Sequence, residues 1–368
     1  MRWVLAAVLI AHGLIHGLGF VKGFGLASLP QLGAVSRSYG VIWLFAAALF
    51  VATAAALFLW PRTWWALGAS AIVLSLIAIA PSWLDAKAGA IVDAIVLVAV
   101  AYGFLSMGPI SLRAAYETDA RQAASLATPL SRLEEADIAN LPSPVQRYLR
   151  VTGAVGRPPV RSFQARMHGR IRSGANERWM PLRAEQRNVI DRSSRLFYFE
   201  GSMSGVPVQG YHRYVDSSAT MRVKAAALIP VATGSGEEMT KSETVTLFND
   251  MCVLAPASLI DPRIAWTRVD AHAVKAAFTN AGHTIHAELF FNDAGELVDF
   301  HSDDRSESSG NGKGFVRAHW STPVGDYRTF GCGRLASRGA ARWRHADSEY
   351  VYIELAFDDV QCNVPPRR

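Results

Sequence analysis

Cysteine is scarce in this chain of 368 residues: Cys252, Cys332 and Cys362 stand far apart, with no Cys-x-x-Cys pair. That excludes a zinc ribbon and a multi-bridge disulfide scaffold. A single Cys332–Cys362 bridge stays open to a domain in an oxidising compartment. Catalytic signatures are missing as well. No Gly-x-Ser-x-Gly elbow, His-Glu-x-x-His pair, Walker loop or strand–helix Gly-x-Gly-x-x-Gly occurs, so the usual hydrolase, metalloprotease and nucleotide readings have no anchor. Nothing requires a metal or a cofactor. There is no strong basic surplus either. The 37 Lys and Arg face 31 Asp and Glu, a net charge of +6, too small and too scattered for nucleic acid.

Charge is rarest in the first 105 residues, which hold only Arg2, Lys22, Arg37, Arg62, Asp85, Lys87 and Asp93. Four apolar runs lie there, at 3–21, 41–60, 64–80 and 88–105. Each is near the ~20 residues that cross a bilayer. Trp43, Trp60, Trp64, Trp65 and Trp83 sit near the run ends, where indoles suit the headgroup level. The expectation is a four-helix transmembrane domain over residues 1–106, in a multi-pass protein of the cytoplasmic membrane. The first run reads as a retained helix rather than a signal peptide, because His12 and His16 interrupt it and no small-x-small cleavage site follows. Lys and Arg are nearly balanced between the two sides. The positive-inside rule leans weakly toward a cytoplasmic C-terminal domain and leaves the side undecided.

AHGLIHGLGF (11–20) places His12 and His16 on one face of the first helix, since residues four apart share a face. At 1.5 Å per residue His16 lies roughly 20 Å into the bilayer, and Asp93 reaches a similar depth from the opposite side. The two depths therefore allow a His16–Asp93 contact inside the bundle. Ionisable groups at such depth mark proton relays, ligands or wet cavities. Gly13, Gly17 and Gly19 point instead to close helix packing with an interhelical hydrogen bond. No second helix offers a histidine, which weighs against haem.

Residues 107–157 read as a helical linker, punctuated by Pro129 and Pro142. Within it SPVQRYLRVTG (143–153) has Pro in its first turn and Gly at its stop. Beyond Pro158 the apolar period becomes two, over about a dozen short segments separated by turns such as Asn292-Asp293-Ala294-Gly295. One helical window, 239–256, interrupts them. The expected class is α+β: four transmembrane helices, then a mainly antiparallel β-domain over 158–368, a curved sheet or half-barrel with one covering helix. The alternation places Leu196 and Tyr198 on an inner face, with Ile285, Ala287, Leu289 and Phe291 on another strand. A helix across the mouth of such a sheet encloses an apolar cavity. Trp179, Met180, Tyr198, Leu289 and Phe291 are the candidates for its lining. Asp299, His301 and Asp303 share a strand face, which suits a small acid–base or metal cluster and, more commonly, a wet strand surface. SSGNGKGF (308–315) has the composition of a loop.

Four stretches, LPSPVQRYLRVTGAVGRP (141–158), RWMPLRAEQ (178–186), GYHRYVD (210–216) and TPVGDYRTFGCGR (322–334), resemble a family of bacterial membrane proteins classed only as a domain of unknown function. The resemblance covers roughly residues 135–360 and brings no catalytic residues with it. It implies a soluble part distantly similar to lipoprotein-carrier and lipoprotein-receptor folds, and so a lipid or other hydrophobic ligand bound without catalysis. Such carriers are periplasmic, against the weak charge lean. Two other functions stay open: a redox or proton-relay protein built on His12, His16 and Asp93, and a ligand-free scaffold for an envelope protein partner.

Overall fold

The computed structural model describes residues 2–30, 32–123, 131–308 and 314–364. Pro129 and most of the SSGNGKGF stretch lie outside them. The chain divides into a helical unit through Ala115 and a sheet unit from Tyr116.

The helical unit contains α1 (Arg2–Gly23), α2 (Arg37–Leu59), α3 (Trp64–Ile79) and α4 (Trp83–Met107). Prolines punctuate the last two breaks, Pro61 after α2 and Pro81 after α3, where a missing N–H cannot continue the helical ladder. Ser36 caps α2 by accepting from the Tyr39 backbone N–H at 3.4 Å. Helices α1 and α2 approach closely because Gly19 makes room for an indole. A Cβ at position 19 would stand 2.1 Å from the Trp43 ring. The apolar pattern is inside-out: Leu14, Phe45, Ile77 and Val98 are exposed, while His12, His16, Ser75 and Asp93 are buried. Three stretches are long and apolar enough to cross a membrane, Arg2–Gly23, Arg37–Leu59 and Trp64–Gln122. The third contains both α3 and α4, where the sequence spacing predicts separate spans. Helix α3 has only 16 residues, about 24 Å at 1.5 Å per residue, less than a hydrocarbon core of about 30 Å.

Helix α5 (Leu112–Gln122) leads into the sheet unit, followed by α6 (Glu135–Ile138) and α7 (Ser143–Val151). Six strands come next: β1 (Ser162–Ile171), β2 (Met180–Val189), β3 (Ser194–Met203), β4 (Val206–Val215), β5 (Ser218–Ala225) and β6 (Ile229–Gly234). Helix α8 (Glu237–Leu254) separates them from β7 (Ile264–Arg268), β8 (Ala273–Asn280), β9 (His283–Phe291), β10 (Leu297–Ser302), β11 (Ser306–Ser308), β12 (Phe315–Arg317) and β13 (His319–Ser321). The last three are β14 (Val324–Phe330), β15 (Gly333–Arg344) and β16 (Glu349–Cys362). Fourteen form one sheet in the order β6-β5-β4-β3-β2-β1-β16-β15-β13-β10-β9-β8-β7, with β14 on β15, and β11 pairs β12 apart. Every pairing is antiparallel. Two meanders thus join where β1 meets β16.

The sheet wraps α8. From Met239 to Leu254 every residue of that helix except Lys241 is buried, and its side chains meet strands from β2 to β10. The expected helix across a mouth is instead a helix inside the fold. The reason is its composition: Thr240, Ser242, Glu243, Thr244, Thr246, Asn249 and Asp250 are buried beside Val245, Phe248 and Met251, so all its faces need partners. Helix α7 packs Val145, Tyr148 and Leu149 into the same core. The Tyr148 hydroxyl donates to the Cys252 carbonyl at 2.8 Å, satisfying one of the acceptors that a helix leaves open in its last turn.

Candidate functional site

In the helical unit a line of hydrogen bonds runs through apolar surroundings. His12 Nε2 lies 3.0 Å from Asp93 Oδ1. The Ser75 hydroxyl donates to Asp93 Oδ2 at 2.7 Å. With that proton committed, Ser75 Oγ can only accept, so His16 Nε2–H donates to it at 2.8 Å. The His16–Asp93 contact that the depths allow is therefore indirect: His12 touches Asp93, and His16 reaches it through Ser75. Phe50 lies against both imidazoles, with ring centroids 4.7 and 5.6 Å away, and Trp43 is 5.0 Å from His16. His16 Nδ1 and Trp43 Nε1 are buried without a hydrogen-bond partner.

The sheet unit buries a larger network, built from α8 upward. Glu243 and Asp250 are seven residues apart, two turns along one helix face. Strand β3 sets Arg195 between them: its Nη1 donates to Glu243 Oε2 at 2.9 Å and its Nε to Asp250 Oδ2 at 2.7 Å. Strand β2 adds Gln186 and Asn188, whose amides donate to Asp250 Oδ2 at 2.7 and 3.0 Å. His212 and Arg305 stand 3.5 and 3.7 Å from Glu243 Oε1. Arg305 also donates to Thr246 and to the Tyr352 hydroxyl, both at 3.1 Å, and lies 4.5 Å over the Trp320 ring. Burial pushes the Glu243 carboxyl up, but Arg195, His212 and Arg305 outweigh it and hold the group below its ordinary range. Burial pushes Asp250 up too, and there Arg195 and Asn188 only partly offset it. Both carboxylates are engaged by arginine, imidazole or amide groups. Such an arrangement joins the helix to the sheet through polar contacts.

The predicted lining residues separate. Met180, Leu289 and Phe291 belong to the core that packs around α8. Tyr198 does not. It points to the other face of the sheet and stacks on Tyr116 of α5 at 5.7 Å, and Phe197 and Phe199 take the inner face with Arg195. The alternation misleads here because α5 covers the outer face. All six residues from Ser194 to Phe199 are buried, so no exposed position reveals the phase. Gly210 on β4 admits Phe199, whose ring would lie 2.1 Å from a Cβ at that position. Trp179, just before β2, is half-buried, with the guanidinium groups of Arg170 and Arg172 over its ring at 4.4 and 4.6 Å. The Asp299, His301 and Asp303 row resolves into separate pairs, His301 with Asp299 at 3.2 Å and His319 with Asp303 at 2.7 Å. Among the described residues no group of three or more His, Cys, Asp or Glu is arranged to hold a metal ion. Cys332 and Cys362 form a disulfide, and Cys252 is buried in α8.

A family model described as a family of unknown function, DUF6544, matches residues 131–355, more than half of the chain. The chain belongs to DUF6544. All four motifs quoted above fall inside the match, and so do α7, α8 and every residue of the ionic network. The histidine line of the helical unit lies outside it. No curated protein matches this DUF6544 member. Among solved structures it is similar to a DUF1329 family protein from Desulfovibrio piger, at 8% identity over 60% of this chain and 92% of that one, with a TM-score of 0.34. It is also similar to a LolA superfamily protein from Nitrosomonas europaea, at 11% identity over 60% of this chain and 93% of that one, with a TM-score of 0.31. TM-scores this low carry no functional argument.

Proposed function

We propose that the protein is a membrane-anchored, non-catalytic binder of a lipid or other hydrophobic ligand. Helices α1 to α4 cross the bacterial cytoplasmic membrane, α3 lengthened by the helical turn Ala80–Ser82 that follows it, and the sheet domain stands on its oxidising, periplasmic side. The reading rests on how α8 is seated. Its contacts with the sheet include ion pairs and hydroxyls, through Arg195, Glu243, Asp250, Thr240 and Thr246. Buried ion pairs contribute little net stability against their hydrated state, so such a seat can be vacated at lower cost than an apolar one of equal area. The wall left behind carries Met180, Leu182, Phe197, Phe199, Leu289 and Phe291, a surface that suits an acyl chain. The Cys332–Cys362 bridge supports the periplasmic side, since disulfides persist in oxidising compartments.

The test is native mass spectrometry of the full-length protein in detergent, with α8 free or fixed. Thr240 Oγ1 accepts from the Ala219 N–H at 3.2 Å, so Thr240→Cys with Ala219→Cys can tether the helix to β5. We expect an adduct of lipid mass on the reduced protein and none on the oxidised one. An apo mass in both states overturns the reading. For sidedness, Cys332 and Cys362 should be bonded in protein trapped from intact cells with a thiol-blocking reagent. Free thiols there place the domain in the cytoplasm.

A second reading has one specific observation behind it, the unbroken His16–Ser75–Asp93–His12 line. A proton taken up at one imidazole can be compensated by Asp93 through one hydroxyl. Infrared titration of the Asp93 carboxylate band, with Asp93→Asn as reference, decides it. A band that follows bulk pH supports proton handling, and an unresponsive one leaves a packing contact.

A further inference from the structure

The exposed apolar surface of the sheet unit gathers at one corner. Seven large hydrophobic side chains are exposed among its described residues: Met203, Val206, Leu228, Ile229, Val231, Val269 and Val316. The first five, 44–62% exposed, occupy the tips of the β3–β4 and β5–β6 hairpins and the start of β6. The two tips are neighbours. Val208 pairs with Ala225, and the Ala226 N–H donates to the Pro207 carbonyl at 2.8 Å. Neither 201–210 nor 225–236 contains a charged residue, while Arg222 and Lys224 stand just behind on β5.

The course of α5 shows from which side the chain enters. Tyr116 stacks on Tyr198. Farther along, Asp119 accepts from Arg213 Nε at 2.9 Å and from the Tyr211 hydroxyl at 2.6 Å. The Ala123 carbonyl then accepts from Arg187 at 3.3 Å, opposite Leu196. From Tyr116 to Ala123 the chain thus runs along β3 away from Met203, so it enters the sheet unit from the side of the tips. Met203 is five residues beyond Tyr198, about 17 Å at the rise of a strand. Only eight residues, 108–115, lie between Met107, where α4 ends, and Tyr116, a tether of at most ~30 Å.

We infer that this corner is a membrane-contact surface, whose two hairpin tips place Met203, Val206, Leu228, Ile229 and Val231 in the headgroup–acyl boundary of the bilayer. The inference rests on the membrane-anchored reading above. Backbone groups at that depth need internal partners. The tips supply several: Ala226 N–H to Pro207, Leu228 N–H to Ala225 at 3.1 Å, and the Met203–Val206 pairing. Pro230 has no N–H to leave open on the edge strand. Arg222 and Lys224 lie where cations meet anionic headgroups.

The chain is suited to a direct test. Cys332 and Cys362 are bonded and Cys252 is buried, so an added surface cysteine is the reactive thiol. Nitroxides at Leu228→Cys, Met203→Cys, Val98→Cys and Ala294→Cys are compared in full-length protein in phosphatidylethanolamine–phosphatidylglycerol liposomes. Collision with oxygen and with a water-soluble nickel complex reports depth. We expect positions 228 and 203 about 5–10 Å below the phosphates, position 98 deeper, and position 294 in water. Ile229→Asp with Val231→Asp should return the 203 nitroxide to water. Water at 228 with lipid at 98 overturns the tip contact and leaves the anchor standing. Water at both overturns the anchor as well. Spin–spin broadening between copies labelled at 228 makes the corner a self-association surface and overturns the inference.

Discussion

Asp93 in the helical unit and Asp250 in the sheet unit are both buried carboxylates, and their surroundings differ in kind. Asp93 accepts from one imidazole and one hydroxyl, partners that can each give or receive a proton. Asp250 accepts from Arg195 and two amides. A guanidinium offers donors only and does not deprotonate. The first network can reverse its hydrogen bonds without moving a side chain, whereas the second is wired in one direction. Burial alone therefore says little about whether a charged cluster is rigid. The chemistry of its donors decides that.

Arg195→Met is the most severe way to break the sheet-unit network. It leaves two buried carboxylates facing Arg305, His212 and amides. We expect the unfolding transition of the sheet unit to lose about 3–5 kcal/mol, the cost of removing one partner from a buried ion pair. Adding Glu243→Gln and Asp250→Asn should recover most of the loss, because the charges go together. Asp250→Asn alone can keep a carbonyl oxygen at the Oδ2 position, where all three donors converge, but it removes the charge that pairs with Arg195, and should cost about 1.5–3 kcal/mol. Acid probes the same cluster through Glu243, whose folded carboxyl is held below the ordinary value of 4.5. A depressed value gives stability that is complete above pH 4.5 and is lost as pH falls. Asp250, raised by burial, contributes with the opposite sign. The stability gap between wild type and Glu243→Gln should therefore narrow below pH 4.5, measured by denaturant titration at successive pH values. Tyr148→Phe, which removes the bond to the Cys252 carbonyl, should cost about 1 kcal/mol.

The two networks were unequally visible in the sequence. In the helical unit His12, His16 and Asp93 interrupt runs of Leu, Ile, Val and Ala, so each stands out. Ser75 does not, because a serine in a membrane helix is unremarkable by composition and gains meaning only from what lies across the bundle. In the sheet unit the antiparallel meander and the place of α8 along the chain followed from periodicity and turn residues, while its seat inside the sheet did not. The ionic core did not. Arg195 opens a strand where a charged residue reads as solvated, and Glu243 and Asp250 look like the polar face of a surface helix. Seven-residue spacing of two acids in a window that also holds Val245, Phe248 and Met251 was the available signal. Alternation along β3 does not reveal the face of Tyr198, because the Tyr116 contact comes from 82 positions away in sequence, beyond the reach of any local pattern.

The comparison is sharpest when one substitution is made in both units. Asp93→Asn keeps a carbonyl oxygen for the Ser75 hydroxyl and gains an amide N–H. His12 can change tautomer, so that its Nε2 accepts where it donated before. Ser75 still accepts from His16, and every bond of the line can re-form with no net charge. Interhelical hydrogen bonds in membranes average only ~0.6 kcal/mol even when lost outright. We therefore expect Asp93→Asn to change the stability of the helical unit by less than about 0.6 kcal/mol, measured by unfolding in mixed detergent, against the larger loss for Asp250→Asn. A loss at Asp93 as large as that at Asp250 would mean that the carboxylate charge itself is required there. That result would favour the proton-handling reading of the line.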